Sequence, residues 1–290
     1  MGGFAVKAAD LYELVRAPAA LTAVGDTVAG SAAAGQRLRG RRWALPLASM
    51  AFYWAGMAVN DWADRELDAV ERPERPIPSG RVSAQAAFRT GGVLTAAGLG
   101  LACLGGGQRS LRVAVPLAAS VWAYDTVLKG TPLGPCGMSA CRALDVLLGA
   151  GGRWREAAPA AAALAVHTMG VTALSGGEVH GGSPRTAGAA LAGTAVSTGL
   201  ALYGRASRSA HRVAALAFGA CYAAAVGTAQ YRALESSSAA RVRAATVAGI
   251  QGMVPLQASV AARHGAVRTA ALLAGAVPLA RRLVRKVSPT

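Results

Sequence analysis

The densest chemistry in this chain lies in Asn60-Asp61-Trp62-Ala63-Asp64-Arg65-Glu66-Leu67-Asp68. On a helix turning about 100° per residue, Asn60, Asp64, Asp68 and Asp61 fall at about 0°, 40°, 80° and 100°, one narrow stripe of oxygen donors. Such a stripe suits a hard cation, because Mg²⁺ is held by one or two carboxylates together with waters and the phosphates of a substrate. The competing reading is a solvated helix end with interspersed charge. The next residues, Arg72-Pro73-Glu74-Arg75-Pro76-Ile77-Pro78-Ser79-Gly80-Arg81, favour the first reading. Their prolines stop the helix and stiffen the loop, and Arg72, Arg75 and Arg81 can offer guanidinium forks to phosphate oxygens. A metal stripe followed at once by a rigid basic loop outlines a site for a diphosphate carried on a lipid tail.

Other polar residues stand within apolar stretches. Arg142 and Asp145 are spaced i,i+3 and near enough to pair on a helix. Arg142 either reaches the diphosphate or pairs with Asp145 to place its helix, and Asp145 either orients an acceptor or belongs to that pair. Asp26 is a further intramembrane acid, a functional candidate by default, with no partner legible in the sequence.

The elements that must position these residues read as membrane spans. The chain is 53% apolar and 15% charged, and long stretches such as Val113 to Tyr124 and Ala187 to Gly204 carry no charge. Apolar stretches between charge clusters predict an all-α, polytopic transmembrane bundle of nine or ten spans, near 11–33, 43–62, 84–106, 111–128, 134–150, 157–174, 186–203, 211–231, 241–262 and 265–282. The ninth carries Gln251, Pro255 and Gln257, which suggests a broken or interfacial helix. Trp43, Trp62 and Trp154 fall near span ends, where amphipathic rings favour the headgroup region. No linker splits residues 1–290, so one domain is expected. Alternation puts the loops after spans two, four and six on one face. Basic residues favour the N-terminus inside only weakly, because every outside loop is basic too.

Thirty Lys and Arg against fourteen Asp and Glu give a formal charge of +16. No aromatic residues interleave with the arginine clusters as a stacking platform for nucleic acid requires, so anionic headgroups and diphosphates are the expected counter-ions. Cys103, Cys136, Cys141 and Cys221 form no CxxC pair and read as small hydrophobes. No cleavable signal is visible, and the first helix is expected to stay as an anchor.

The pairing of NDxxDxxxD with RPxRPIPSGR resembles the first aspartate-rich motif of the UbiA superfamily of membrane prenyltransferases. Arg16-Ala17-Pro18 is similar to that family's Arg-x-Pro segment before span one, and Tyr124-Asp125-Thr126-Val127-Leu128-Lys129 to its tyrosine-to-lysine segment at the end of span four. The resemblance implies a UbiA-like bundle of about nine spans that moves an isoprenoid group from an isoprenyl diphosphate to a small polar or aromatic acceptor. It assigns Mg²⁺ to Asn60, Asp61, Asp64 and Asp68, and the diphosphate to Arg72, Arg75 and Lys129, with Arg142 and Arg185 on the facing loops; Tyr124 would touch substrate. Lys129 alone would read as a snorkelling lysine.

Where the family has a second aspartate-rich motif, this chain has Leu174-Ser175-Gly176-Gly177-Glu178-Val179-His180 and no aspartate. Glu178 is the one carboxylate there, a candidate for metal and proton transfer, and the segment resembles a divergent UbiA-like branch. Asp68, Asp145 and Glu178 are the catalytic candidates. A terpene cyclase on the same scaffold is the nearest alternative, and a non-catalytic lipid transporter or scaffold a further one. The expected location is a bacterial plasma membrane, with the site opening to the cytoplasm.

Overall fold

The computed structural model describes residues 7–204 and 206–275. Among these the regular structure is helical, with no strand. The first expected span is not one helix. It divides into α1 (Ala8–Leu14), a 3₁₀ turn (Ala17–Ala20) and α2 (Leu21–Ala33). Arg16, at φ 48°, turns the chain between them. At 1.5 Å per residue α2 is only about 20 Å long, short of a hydrocarbon core.

A single-turn 3₁₀ segment (Gly40–Trp43) leads into α3 (Ala44–Ala63), and α4 (Arg65–Glu71) follows directly. Asp64 is the hinge between the two, and the i→i−4 ladder still crosses it, through Asp64 N–H to Asn60 C=O at 2.9 Å and Asp68 N–H to Asp64 C=O at 2.8 Å. The oxygen stripe is therefore carried by two short-coupled helices.

Next comes α5 (Ala84–Ala123), which is broken at Gly107. With φ 62° and ψ −151°, Gly107 adopts a conformation that a side chain would strain. There the chain turns back on itself, so that Trp122 Nε1 donates to Thr95 Oγ1 at 3.0 Å across the hairpin. Directly after α5, Tyr124–Leu128 form a π-helical turn in which Lys129 N–H donates to Tyr124 C=O.

The remaining elements are α6 (Gly134–Gly149), α7 (Trp154–Ser175), α8 (Pro184–Ala201), α9 (Ser209–Glu235) and α10 (Ala239–Arg263), with residues 267–275 again helical. The tenth expected span lies partly outside the described residues. The ninth differs from expectation: α10 is continuous through Pro255, and Gln257 is completely buried. The helix faces the interior through Gln257, whose Nε2 donates to Thr22 C=O at 2.8 Å and to Asp26 Oδ1 at 2.7 Å, whereas Gln251 is exposed.

The core joins α2, α6, α7, α9 and α10 through Ala29, Val146, Leu164, Tyr222 and Leu256. Small residues let these backbones approach, as membrane helices require without a hydrophobic drive between them. A methyl group at Gly30 would run into the Val146 carbonyl, and one at Gly149 into the Thr27 carbonyl. Among the described residues, Ala84–Leu128, Trp154–Ser175 and Ser209–Glu235 are long and apolar enough to cross a membrane by length and composition.

Alternating helices gather the loops at two ends. One end holds α1, the 72–83 loop, the turn after Lys129, the 176–183 loop and the α9–α10 turn. Its contacts include Arg81 with Asp10 and Glu13, and Gly182 N–H with Ser237 C=O at 2.9 Å. The other end holds Arg42 beside Gly151, Arg109 beside Gly152, and Arg263 bonded to the Gly204 carbonyl.

Candidate functional site

The oxygen stripe, the basic loop and Lys129 converge at the first end. Lys129 Nζ stands 2.7 Å from Asp64 Oδ1 and 3.0 Å from Asn60 Oδ1. Arg75 Nη1 lies 2.6 Å from Asp68 Oδ2 and 3.5 Å from Asp61 Oδ1, and Arg72 approaches Asp68 at 4.0 Å with half its side chain exposed. Arg16 completes the group, 2.8 Å from Asp61 Oδ1. Side chains from Arg16, the 60–75 segment and Lys129 thus form one alternating patch of carboxylates and cations. Asp61 and Asp68 are buried, and Asp64 is partly open.

Among the described residues no group of three or more His, Cys, Asp or Glu side chains is arranged to hold a metal. The donor set nevertheless fits a hard cation. Asn60 and Asp64 already aim their side-chain oxygens at one positive centre, the Lys129 ammonium, and Mg²⁺ needs only one or two protein carboxylates when diphosphate oxygens and waters supply the rest. Arg16, Arg75 and Lys129 supply the positive charge that faces these carboxylates.

Arg81 serves another purpose. Its guanidinium donates to Glu13 at 2.6 and 3.0 Å, to Asp10 at 2.9 Å and to the Glu74 carbonyl at 2.8 Å. It straps α1 to the proline loop. The hydrogen bonds to Glu13, followed by those to Asp10, hold its pKa above the usual arginine value against the opposing effect of burial.

Directly inward lies a cavity of about 250 Å³ whose wall includes Ser49, Gly56, Tyr124, Asp125, Arg142 and Asp145. The Arg142–Asp145 pairing does not form. Arg142 Nη1 instead meets Asp26 Oδ2 at 2.8 Å, and Ser49 Oγ donates to Asp145 Oδ2 at 2.5 Å. Asp26 therefore has two partners, Arg142 and Gln257, each from a helix distant in sequence. Asp145 Oδ1 is buried without a hydrogen-bond partner. Arg142 sits in the cavity wall, its charge committed to Asp26.

Glu178 and Arg185 occupy the same end as the aspartates, but among the described residues no hydrogen bond or ion pair joins either to that patch. The 176–183 loop is fastened to α10 instead, with Arg243 donating to the Glu178 carbonyl at 2.9 Å. Arg185 lies on an apolar groove between α7 and α8. Arg16, which the Arg-x-Pro resemblance had marked without a role, joins the site at Asp61, and Asp125 and Ser49 line its cavity although neither was named as a site residue. Asp125 sits inside the tyrosine-to-lysine segment, which was the available signal; Ser49 had none.

The fold and site together define an all-helical bundle in which a patch of carboxylates and cations caps a largely apolar internal cavity. A model of the UbiA prenyltransferase family matches residues 22–176, and the chain belongs to that family. It is an integral membrane protein. It is similar to the digeranylgeranylglyceryl phosphate synthase of Methanopyrus kandleri, 39% identical over 114 residues, which are 39% of this chain and 41% of that protein. It is also similar to that of Ignicoccus hospitalis, 41% identical over 124 residues, 42% of this chain and 39% of that protein. The matches thus span about two fifths of the length of these relatives. A solved structure described as that of digeranylgeranylglyceryl phosphate synthase superimposes with a TM-score of 0.68 and 17% identity, over 89% of this chain and 98% of the other. That likeness concerns the fold.

Proposed function

We propose that the protein transfers an isoprenoid group from an isoprenyl diphosphate to a small acceptor in a Mg²⁺-dependent reaction. The observation that carries this is the meeting of Asn60, Asp64 and Lys129 within hydrogen-bond distance at the mouth of the cavity, with Arg75 joining Asp61 and Asp68 beside them. When bound, Mg²⁺ supplies positive charge against the leaving diphosphate. Arg16, Arg75 and Lys129 add fixed donors to the same oxygens, the electrostatic stabilisation that is worth most in a site shielded from water. Tyr124 and the apolar wall hold the first isoprene unit and keep water from the allylic centre.

The relatives' name, a synthase of digeranylgeranylglyceryl phosphate, supports a geranylgeranyl donor and a glyceryl phosphate acceptor as the first substrates to test. Glu178 and Arg185 are assigned to the third wall in this reading, because the 176–183 loop and the start of α8 lie at the same end of the bundle as the aspartates. This reading keeps nine or ten crossings, counting the short α2 and the two arms of α5, and assigns the motif end to the cytoplasm. The homologues are largely archaeal, so the bacterial assignment is not carried forward.

The test is turnover of labelled geranylgeranyl diphosphate by detergent-purified protein, with and without Mg²⁺ and with geranylgeranylglyceryl phosphate as acceptor. Metal-dependent formation of a doubly prenylated product is expected, and failure to consume the donor under any condition would overturn the reading. The unpartnered Asp145 Oδ1 in the cavity wall also suits a terpene cyclase, which would release hydrocarbon or terpene alcohol with no acceptor present.

A further inference from the structure

One acidic group at the site is left unused by diphosphate binding. Asp125 is only 4% exposed and sits on the π-helical turn Tyr124–Leu128, a helix irregularity frequent at functional sites. Its carboxylate lines the cavity. Among the described residues it accepts no hydrogen bond and forms no ion pair, although Lys129, Asp64, Arg16 and Asp61 all act on it through space. The carboxylate opens onto the cavity, where a group that donates a hydrogen bond would stabilise its charge.

Its position says which ligand. Asp125 precedes Lys129 by one turn on its own helix. Across from it, Gly56 precedes Asn60 by one turn on α3, and a methyl group placed on Gly56 would lie 3.1 Å from Asp125 Oδ2. Asp125 therefore stands about one turn, roughly 5 Å, inward of the Asn60–Lys129 level where the diphosphate is held. The carbon bonded to the diphosphate projects inward from that level, and the attacking atom must approach it from the cavity side.

We infer that Asp125 is the general base of the transfer and that the acceptor presents a hydroxyl group to it. The inference rests on the proposed prenyl transfer. The allylic carbon–oxygen bond breaks with its electron pair leaving on the diphosphate, the acceptor oxygen bonds to that carbon, and the hydroxyl proton passes to the Asp125 carboxylate. Protonated Asp125 then returns the proton to solvent through the mouth of the site. No oxidant or further reactant is needed. Gly56 keeps the space open for the carboxylate, since any side chain there would crowd both Val121 and Asp125.

The test uses the full chain in detergent, geranylgeranyl diphosphate, Mg²⁺ and geranylgeranylglyceryl phosphate, with glycerol 1-phosphate as a second hydroxyl probe. Two quantities are measured, donor affinity and the rate of transfer. Asp125→Asn should lower transfer about 10²- to 10⁴-fold, the usual range for losing a general base, while donor affinity stays within about threefold. Asp125→Glu, which keeps the carboxylate, should restore at least about tenfold of the lost rate and covers the case in which the amide variant folds poorly. Transfer by Asp125→Asn within about threefold of the wild-type rate would overturn the inference. So would a loss of donor affinity equal to the loss of rate, which would place Asp125 in the diphosphate cluster. If the wild-type protein consumes no donor with either probe, the proposed function fails first and the role of Asp125 falls with it.

Discussion

Removing Asp26 isolates a charge in the middle of the bundle, and the consequence can be worked out from its contacts. Asp26 is completely buried, 2.8 Å from Arg142 and 2.7 Å from the Gln257 amide. Replacement by Ala leaves the Arg142 guanidinium without its carboxylate and the Gln257 Nε2 group with only the Thr22 carbonyl. Breaking one partner of a buried ion pair costs about 3–5 kcal/mol, because the remaining charge stays desolvated and unpaired. Removing both charges is far cheaper, since buried pairs roughly break even against apolar groups of similar volume. Asp26→Ala should therefore lower stability by about 3–5 kcal/mol, and Asp26→Leu combined with Arg142→Met should recover most of that loss. The assay is reversible unfolding in mixed micelles across a denaturant series, analysed as a double-mutant cycle. A single-variant cost below about 1 kcal/mol would refute the reasoning, showing that Arg142 does not depend on Asp26. Donor affinity in the double variant bears on the earlier expectation that Arg142 grips the diphosphate. It should stay within about threefold if the arginine is a strut in the cavity wall.

Gly30→Ala should destabilise by about 1–3 kcal/mol or more, because its methyl group meets the rigid Val146 carbonyl where α2 crosses α6, and the same micelle unfolding assay reads it. Glu178→Gln should reduce turnover by at least about tenfold with donor affinity within about threefold, as for a third wall that meets the acceptor, and equal rates would remove Glu178 from the site. Arg81→Ala should loosen α1 from the proline loop and speed limited proteolysis at residues 72–80, with little change in the stability of the core.

The parts of this molecule legible in the sequence are those whose chemistry is local. NDxxDxxxD and RPxRPIPSGR lie within about twenty residues of one another, so helix periodicity and proline stiffness place their oxygens and guanidinium groups together without knowledge of the fold. Lys129 depended on resemblance, because nothing within its own helix reports that Asn60 and Asp64 stand opposite. The Asp26–Arg142–Gln257 group was not legible at all. Its members come from α2, α6 and α10, and a span-by-span reading has no term for contacts between helices. The same limit explains α10. Gln251, Pro255 and Gln257 look out of place in a membrane helix judged alone, yet Gln257 turns inward, where Thr22 and Asp26 accept from its Nε2 group. The first span breaks for a local reason, the left-handed turn at Arg16, which neither hydropathy nor composition reports. The weak hydropathy of most helices reflects their Ala and Gly content, the same small residues that let α2 and α6 pack closely.

The central claim is that the carboxylate-and-cation patch at the mouth of the cavity grips a diphosphate with the help of Mg²⁺. Equilibrium binding of geranylgeranyl diphosphate to the purified protein, titrated with and without Mg²⁺ and repeated for Asp64→Asn and Lys129→Ala, tests it most directly. The account predicts saturable binding that weakens at least about tenfold when the metal is withheld and about as much again in each variant, the loss of one charge-assisted contact. Equal affinity in the wild-type protein and both variants, with no response to Mg²⁺, would contradict it.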